Sequence, residues 1–372
     1  MSEISWSWNR YARPVPRAPR GIDAQRRYRE SQDRNPERTP LDPSAEGPRE
    51  HLSRYLLARP WIAGRRVLDG GCGFAYGSLL IRCLGASQVV GLERDEDALR
   101  AGAMALRSMG KDRFAIRAEC PPNEGPLLAA GDLERVPLPD RSMDLVLAFE
   151  VIEHLAEPRR FLSEARRVLT EAGLLLISTP NRELISPGWE IPPNRFHVRE
   201  YSPDELRALL ASEFPQVEMA GQRPGERLLR KRTHGRRGKR MAVSVERAFG
   251  FDPRRILPGG ARSAIKRMLG DRKDPDEGGR TIEMDGLAPR IREWVSAGLE
   301  AQDPCLGGLY EYASADSGET LIALCHQDRD SVLFHAFDSS ASPRVEGPVN
   351  DCGDESMGCG GRISGLVPGT RP

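Results

Sequence analysis

Three groups of residues fall at spacings that suit chemistry. The first is a strand-like run that ends in an acid and a cluster of glycines, Val67-Leu68-Asp69-Gly70-Gly71-Cys72-Gly73, before helix-compatible sequence from Gly77. Glycines there let the backbone approach a ligand closely, and the amides of the next helix N-terminus face an anion. Such a turn also serves as a plain tight turn, and many nucleotide-binding folds have one. It lacks the Lys-Ser/Thr pair of a triphosphate-binding loop. The second is Glu93, about 20 residues further on at the end of another strand-like run, where a carboxylate accepts both hydroxyls of a ribose. Its alternative role is that of an acid opening the following helix.

The third group could move a proton. Glu150 and His154 lie four residues apart at a strand-to-helix junction and so can share one face. His197 follows Pro192-Pro193-Asn194-Arg195-Phe196, in a loop (194–201) that comes directly after a strand-like run and so can fold over the strand ends. Each is a candidate base for an oxygen or nitrogen acceptor. Equally, His154 reads as a structural or ligand-shell histidine, and His197 as a hydrogen bonder that fixes its own loop. No metal is expected. The seven cysteines, Cys72, Cys83, Cys120, Cys305, Cys325, Cys352 and Cys359, include no CxxC pair and read as free thiols of a reducing cytoplasm.

These residues need a scaffold. Apolar runs at 66–69, 88–93, 127–132, 144–150 and 174–178 read as strands, and 77–84, 95–109 and 158–169 as helices. Ser202-Pro203-Asp204-Glu205 is a capping box with proline at the first helical position. Two later strands are read at 217–220 and 320–325. Strands that are apolar on both faces and separated by helices predict an α/β fold. The expected form is a doubly wound, mostly parallel, seven-stranded sheet with helices on both faces. Ligands in such sheets sit at the carboxyl ends of the strands, where all three groups fall.

The expected layout is a disordered segment 1–45, a core 46–222, a helical basic insertion 223–318, a final core strand 319–327 and a low-order tail 328–372.

The ordered set VLDGGCGFAYGS, VVGLE, GDLERVPLPDRSMDLVLAFEVIEHL and EAGLLLISTPN resembles the class I S-adenosylmethionine (SAM)-dependent methyltransferases, in their small-molecule branch. The likeness is close over 48–210 and loose over 211–327. It implies SAM as cofactor, with Asp69, Gly71 and Gly73 around the methionyl part and Glu93 on the ribose. Leu92 or Arg94 would flank the adenine, Asp132 would accept from its amino group, and Leu133 would pack on the ring. Glu150 would stand beside the sulfonium. Tyr55, on a helix before the first strand, would close over the cofactor, partly by cation–π attraction; it also reads as a core aromatic. Ala75 departs from the pattern, standing where the family usually has a third glycine.

The resemblance leaves the acceptor open. A small molecule is expected, such as a sugar, a lipid-linked glycan or a natural product; a quinone precursor, an RNA or a non-catalytic SAM-binding role are alternatives. The net charge of +1 gives no argument for a nucleic-acid partner. The basic run 227–240 (RLLRKRTHGRRGKR) has no interleaved aromatics and reads as a solvated insertion. No membrane-spanning apolar run is read in the sequence, the N-terminal residues are not expected to act as a secretory leader, and a cytoplasmic location is expected. Nothing in the sequence signals an oligomeric state.

Overall fold

The structure, a computed structural model, describes residues 18, 21–30, 46–109, 125–226, 228, 287–301, 304–306 and 309–327. Of the basic run 227–240 only Leu228 is among them, and the tail 328–372 lies outside them.

One sheet organises the described residues. Its strands are β1 (Arg66–Gly70), β2 (Gln88–Glu93), β3 (Leu127–Ala130), β4 (Met143–Phe149), β5 (Leu169–Pro180), β6 (Gln216–Pro224), β7 (Tyr310–Ala313) and β8 (Thr320–His326), in the order β3-β2-β1-β4-β5-β8-β6-β7. Strands β1 to β5 pair in parallel, β8 lies antiparallel between β5 and β6, and β7 pairs antiparallel with β6. The sheet thus has eight strands, where the sequence reading gives seven. The extra edge strand β7 falls inside 223–318, which was expected to be helical. It is four residues long and too short to declare an alternating pattern.

Helices cover both faces, because each buried strand points successive side chains to opposite sides. Val67, Val89, Leu145, Leu147 and Leu176 pack with one set of helices: α2 (Glu46–Leu57), α3 (Tyr76–Cys83), α4 (Glu96–Ser108) and α8 (Leu287–Glu300). Leu68, Val90, Val146, Leu175 and Ile177 face the other set, α5 (Pro158–Val168) and α7 (Pro203–Ala211). Asp95 caps α4 by accepting from the amides of Asp97 and Ala98. Ser202 and Glu205 form the expected capping box of α7. A four-residue helix, α6 (Arg182–Ile185), follows β5.

Two further findings depart from the expected layout. Helix α1 (Ile22–Glu30) lies inside the segment 1–45 read as disordered. It has no apolar stripe of the kind that marks a helix in sequence; instead it is tied to the loop after α6 by polar contacts. Gln25 Oε1 accepts from the Glu190 amide, and Arg29 Nη2 donates to the carbonyls of Arg195 and His197 at 3.0 and 2.8 Å. The second is α8, which belongs to the core despite lying in the region read as an insertion: Ile291, Trp294 and Val295 are fully buried. Cys72, Cys305 and Cys325 are free, as expected, whereas Cys83 is disulfide-bonded. Among the described residues no helix is long and apolar enough to cross a membrane.

Candidate active site

The carboxyl ends of β1, β2 and β4 open into a cavity of about 300 Å³. That lies at the lower end of the range for small-molecule sites. Of the residues singled out in the sequence, Tyr55, Gly71, Gly73, Glu93, Asp132, Leu133, Glu150 and His154 line it; Asp69 and His197 do not.

The glycine loop forms one wall. Gly71 and Gly73 have φ of +69° and +53°, in the left-handed region that glycine tolerates. A side chain at Gly71 would run into Val151, whereas a Cβ at Gly73 would meet nothing within 4 Å. The backbone at Gly73 therefore borders open room, which suits a ligand lying against it. Ala75 also adopts a left-handed φ, +61°, so this chain places an alanine where the geometry favours the glycine of the resembled pattern. Glu93 is held at the cavity edge: Oε2 accepts from the Gly73 amide at 2.9 Å and Oε1 from the Asp95 amide at 2.8 Å. Asp132 Oδ1 accepts from the Glu134 amide at 2.9 Å, which fixes the turn after β3 and leaves Leu133 buried beneath it.

Asp69 acts from behind this wall. Its oxygens accept from the Tyr55 hydroxyl at 3.0 Å and the Ser78 hydroxyl at 2.6 Å, joining α2 to α3 through the end of β1. Burial raises its carboxyl pKa to about 6, against the lowering effect of the two hydroxyls. Burial and the Asp69 charge likewise push the Tyr55 phenol well above its usual range. Tyr55 can lie this close because residue 77 is glycine: a Cβ there would fall 2.2 Å from the phenol ring. Trp294 of α8 meets Tyr55 and Tyr76 edge-on, with ring centroids 5.8 and 4.6 Å away. Tyr55 and Tyr76, with His51 and Phe149, form a wall, backed by Trp294, that the sequence reading largely missed, because aromatics at helical spacing also read as core.

The far end of the cavity carries the candidate proton-moving groups. Glu150 follows β4 directly, with a φ of +59°, and is buried. Its Oε1 accepts from the Ser178 hydroxyl at 2.9 Å and lies 3.2 Å from Arg54 Nη1. Arg54 also donates to Glu50, Gln222 and Thr320, so residues from three elements hold the cation that holds Glu150. His154 is half-buried at the cavity mouth. Its Nδ1 stands 3.0 Å from the carbonyl of Phe196, which also lines the cavity. A carbonyl only accepts, so this contact places the proton on Nδ1. His197 stacks edge-on against His154 with centroids 4.9 Å apart, but it is buried, with Nδ1 2.8 Å from Glu200 and Nε2 2.9 Å from Asn194. Glu153 is fully buried, with Oε2 accepting from the Thr179 hydroxyl at 3.0 Å and Oε1 4.0 Å from His154 Nε2.

Comparison with known proteins gives this arrangement a context. Residues 68–177 match the family described as a methyltransferase domain. A protein of Mycobacterium tuberculosis named "Probable S-adenosylmethionine-dependent methyltransferase" is 40% identical over 181 residues, which are 48% of this chain and 60% of that protein. The "Ubiquinone biosynthesis O-methyltransferase" of a Caulobacter species is 31% identical over 162 residues, 40% of this chain and 59% of its own length. A "Phthiotriol/phenolphthiotriol dimycocerosates methyltransferase" of Mycobacterium tuberculosis is 28% identical over 174 residues, 45% and 58% of the two chains. The chain thus spans about 60% of the length of the curated relatives it matches.

Proposed function

We propose that the protein, whose residues 68–177 match the methyltransferase-domain family, transfers a methyl group from S-adenosylmethionine to a small-molecule acceptor. The observation that carries the reading is the single cavity where Gly71, Gly73, Glu93, Asp132 and Leu133 meet at the strand ends. The names of the relatives support the choice of cofactor. In this reading Glu93 takes the ribose hydroxyls, Asp132 and Leu133 the adenine, and the open backbone at Gly73 the methionyl end. Bound SAM supplies an electrophilic methyl on a cationic sulfur.

The remaining work is alignment. Holding acceptor oxygen or nitrogen, methyl and sulfur in line lowers the barrier by several kcal/mol through positioning alone, on the order of the effective-molarity gain. The Tyr55, Tyr76 and Phe149 wall excludes water from that line, and the buried Glu150 carboxylate sets a negative charge beside it. Glu150 and His154 border the acceptor end, while His197 acts through the position of His154.

A sugar, glycan-linked or natural-product acceptor is the first reading. A quinone-type aromatic is the second, favoured by one observation: from the polar loop 194–201 it is Phe196 that lines the cavity. The relative named for ubiquinone biosynthesis agrees with it.

Calorimetry tests the cofactor. Purified protein should bind SAM in the micromolar range, about −8 kcal/mol, and Glu93→Ala should weaken binding by about 1–3 kcal/mol by leaving ribose hydroxyls unpaired. Equal affinity in that variant would misplace the site. Methyl-labelled SAM offered with metabolite extracts, glycans and quinone precursors then identifies the acceptor by mass spectrometry.

A further inference from the structure

We propose that Glu153, His154 and His197 hold one divalent transition-metal cation beside the cavity, whose remaining coordination positions receive an oxygen of the methyl acceptor. The acceptor half rests on the methyltransferase reading; the cation half does not. One ligand atom from each of the three residues lies within 4.8 Å of the other two. Donors around a cation at about 2.0–2.2 Å sit roughly 3–4 Å apart, so rotamer adjustments of about an ångström close the site.

The surroundings of each side chain argue for this use. A histidine that ligates through one nitrogen donates its other N–H to a carboxylate or a carbonyl, which fixes tautomer and ring angle. Both histidines have that partner. His154 gives Nδ1–H to the Phe196 carbonyl and turns Nε2 towards Glu153 Oε1. His197 sets Nδ1 against the buried Glu200, itself oriented by the Ser186 hydroxyl, and turns Nε2 towards Asn194. The Asn194 amide donates into the Nε2 lone pair, the position a cation would take on displacing it. Glu153 is steered in the same way by Thr179 on Oε2, which leaves Oε1 on the side of His154. A fully buried carboxylate facing two imidazoles is electrostatically suited to a dication.

The donor set also selects the ion. Two imidazoles and one carboxylate suit zinc, manganese, iron or cobalt better than calcium or magnesium, which prefer all-oxygen shells. Three protein ligands leave positions open, as in reactive rather than structural sites. His154 and Phe196 line the cavity, so the open side faces it. An acceptor hydroxyl placed there is oriented and made more acidic. Two histidines that look like rival bases thereby become partners in one site.

Cobalt is the probe, because its visible absorption reports its ligands. The full-length chain, stripped with a chelator, is titrated with Co²⁺ by absorption and with Zn²⁺ by calorimetry, and SAM affinity is measured in parallel. The proposal expects one equivalent bound. His154→Ala and Glu153→Gln should weaken cation binding about a hundredfold or more, and Glu200→Gln about 10–100-fold, since it disturbs only the orientation of His197. SAM affinity preserved in these variants shows that they are folded. Absence of Co²⁺ and Zn²⁺ binding to wild-type protein that still binds SAM overturns the proposal. So does cation binding left intact in both His154→Ala and Glu153→Gln. Cation binding with the expected variant pattern but without SAM binding supports the site and refutes the methyltransferase reading instead.

Discussion

The Arg54 guanidinium stands 3.2 Å from the Glu150 carboxylate, and both side chains are buried. Arg54 comes from α2 and Glu150 from the end of β4, so the pair clamps the helix to the strand that ends at the cavity. Removing one partner of a buried pair leaves an uncompensated charge, at a cost of about 3–5 kcal/mol. Arg54→Met should therefore lose stability on that scale in urea denaturation. Arg54→Met combined with Glu150→Gln should recover part of it, because the orphaned charge is gone. If the double variant is no more stable than Arg54→Met, the two residues are not coupled in this way.

A smaller probe of the same wall is Gly77. Its missing Cβ leaves room for the Tyr55 ring, and a methyl there would lie 2.2 Å from it. Gly77→Ala should destabilise by about 1–3 kcal/mol, as overpacked sites do, despite the better helix propensity of alanine. It should also weaken SAM binding by displacing Tyr55. A variant as stable as wild type with unchanged SAM affinity would show that the ring has other places to go.

The ease of reading this molecule from sequence varies with how local each device is. The glycine loop, Glu93 and the cap of α7 are contiguous patterns, and each falls where the spacing puts it. His154 lies in a short segment fixed to the end of β4, and it too reaches the cavity. The loop of His197 was legible as a neighbour of the cleft, but the side chain turns inwards because Glu200, three residues on, and the distant Ser186 draw it there. No spacing announces such a contact. Asp69 is similar: its place in the motif is plain, yet Tyr55 and Ser78 take its oxygens and set it behind the wall. Helix α1 escaped because side chain–backbone bonds hold it, not a periodic stripe. Helix α8 lies where helix was expected and has a regular stripe, Leu287, Ile291, Trp294, Val295 and Leu299; what the sequence did not show is that this stripe packs on the core.

The raised pKa of Asp69 has a consequence for stability against pH. An acid whose folded pKa, about 6, exceeds its unfolded value binds more protons when folded across the interval between them. Its contribution is therefore full below about pH 4 and is lost as pH rises through about 6, a total of roughly 3 kcal/mol at 1.36 kcal/mol per unit. Asp69→Asn removes that titration. The difference in unfolding free energy between wild type and variant, measured without ligand from pH 4 to 7, should shift in favour of the variant over that range. Parallel curves would mean that the buried carboxyl titrates normally.

The last prediction concerns the hold of α1 on the loop after α6. Arg29 donates from one nitrogen to the carbonyls of Arg195 and His197, flanking Phe196, the residue whose side chain lines the cavity and whose carbonyl meets His154. A charged donor shared by two carbonyls contributes about 1.5–3 kcal/mol. Its loss falls on the local opening of the loop rather than on global unfolding, because the sheet and α2 to α5 do not depend on it. Arg29→Ala should therefore leave the melting temperature nearly unchanged and speed amide exchange across 190–201 by about 10–100-fold, the rate equivalent of that energy. SAM affinity should stay close to wild type, since Gly73, Glu93 and Asp132 lie on other loops, whereas turnover of the acceptor should fall as Phe196 and His154 lose their fixed spacing. Exchange across 190–201 no faster than in wild type would show that the loop holds itself. In that case α1 rests on a loop already made rigid by Glu200, Ser186 and the proline pair before Asn194, and does not control it.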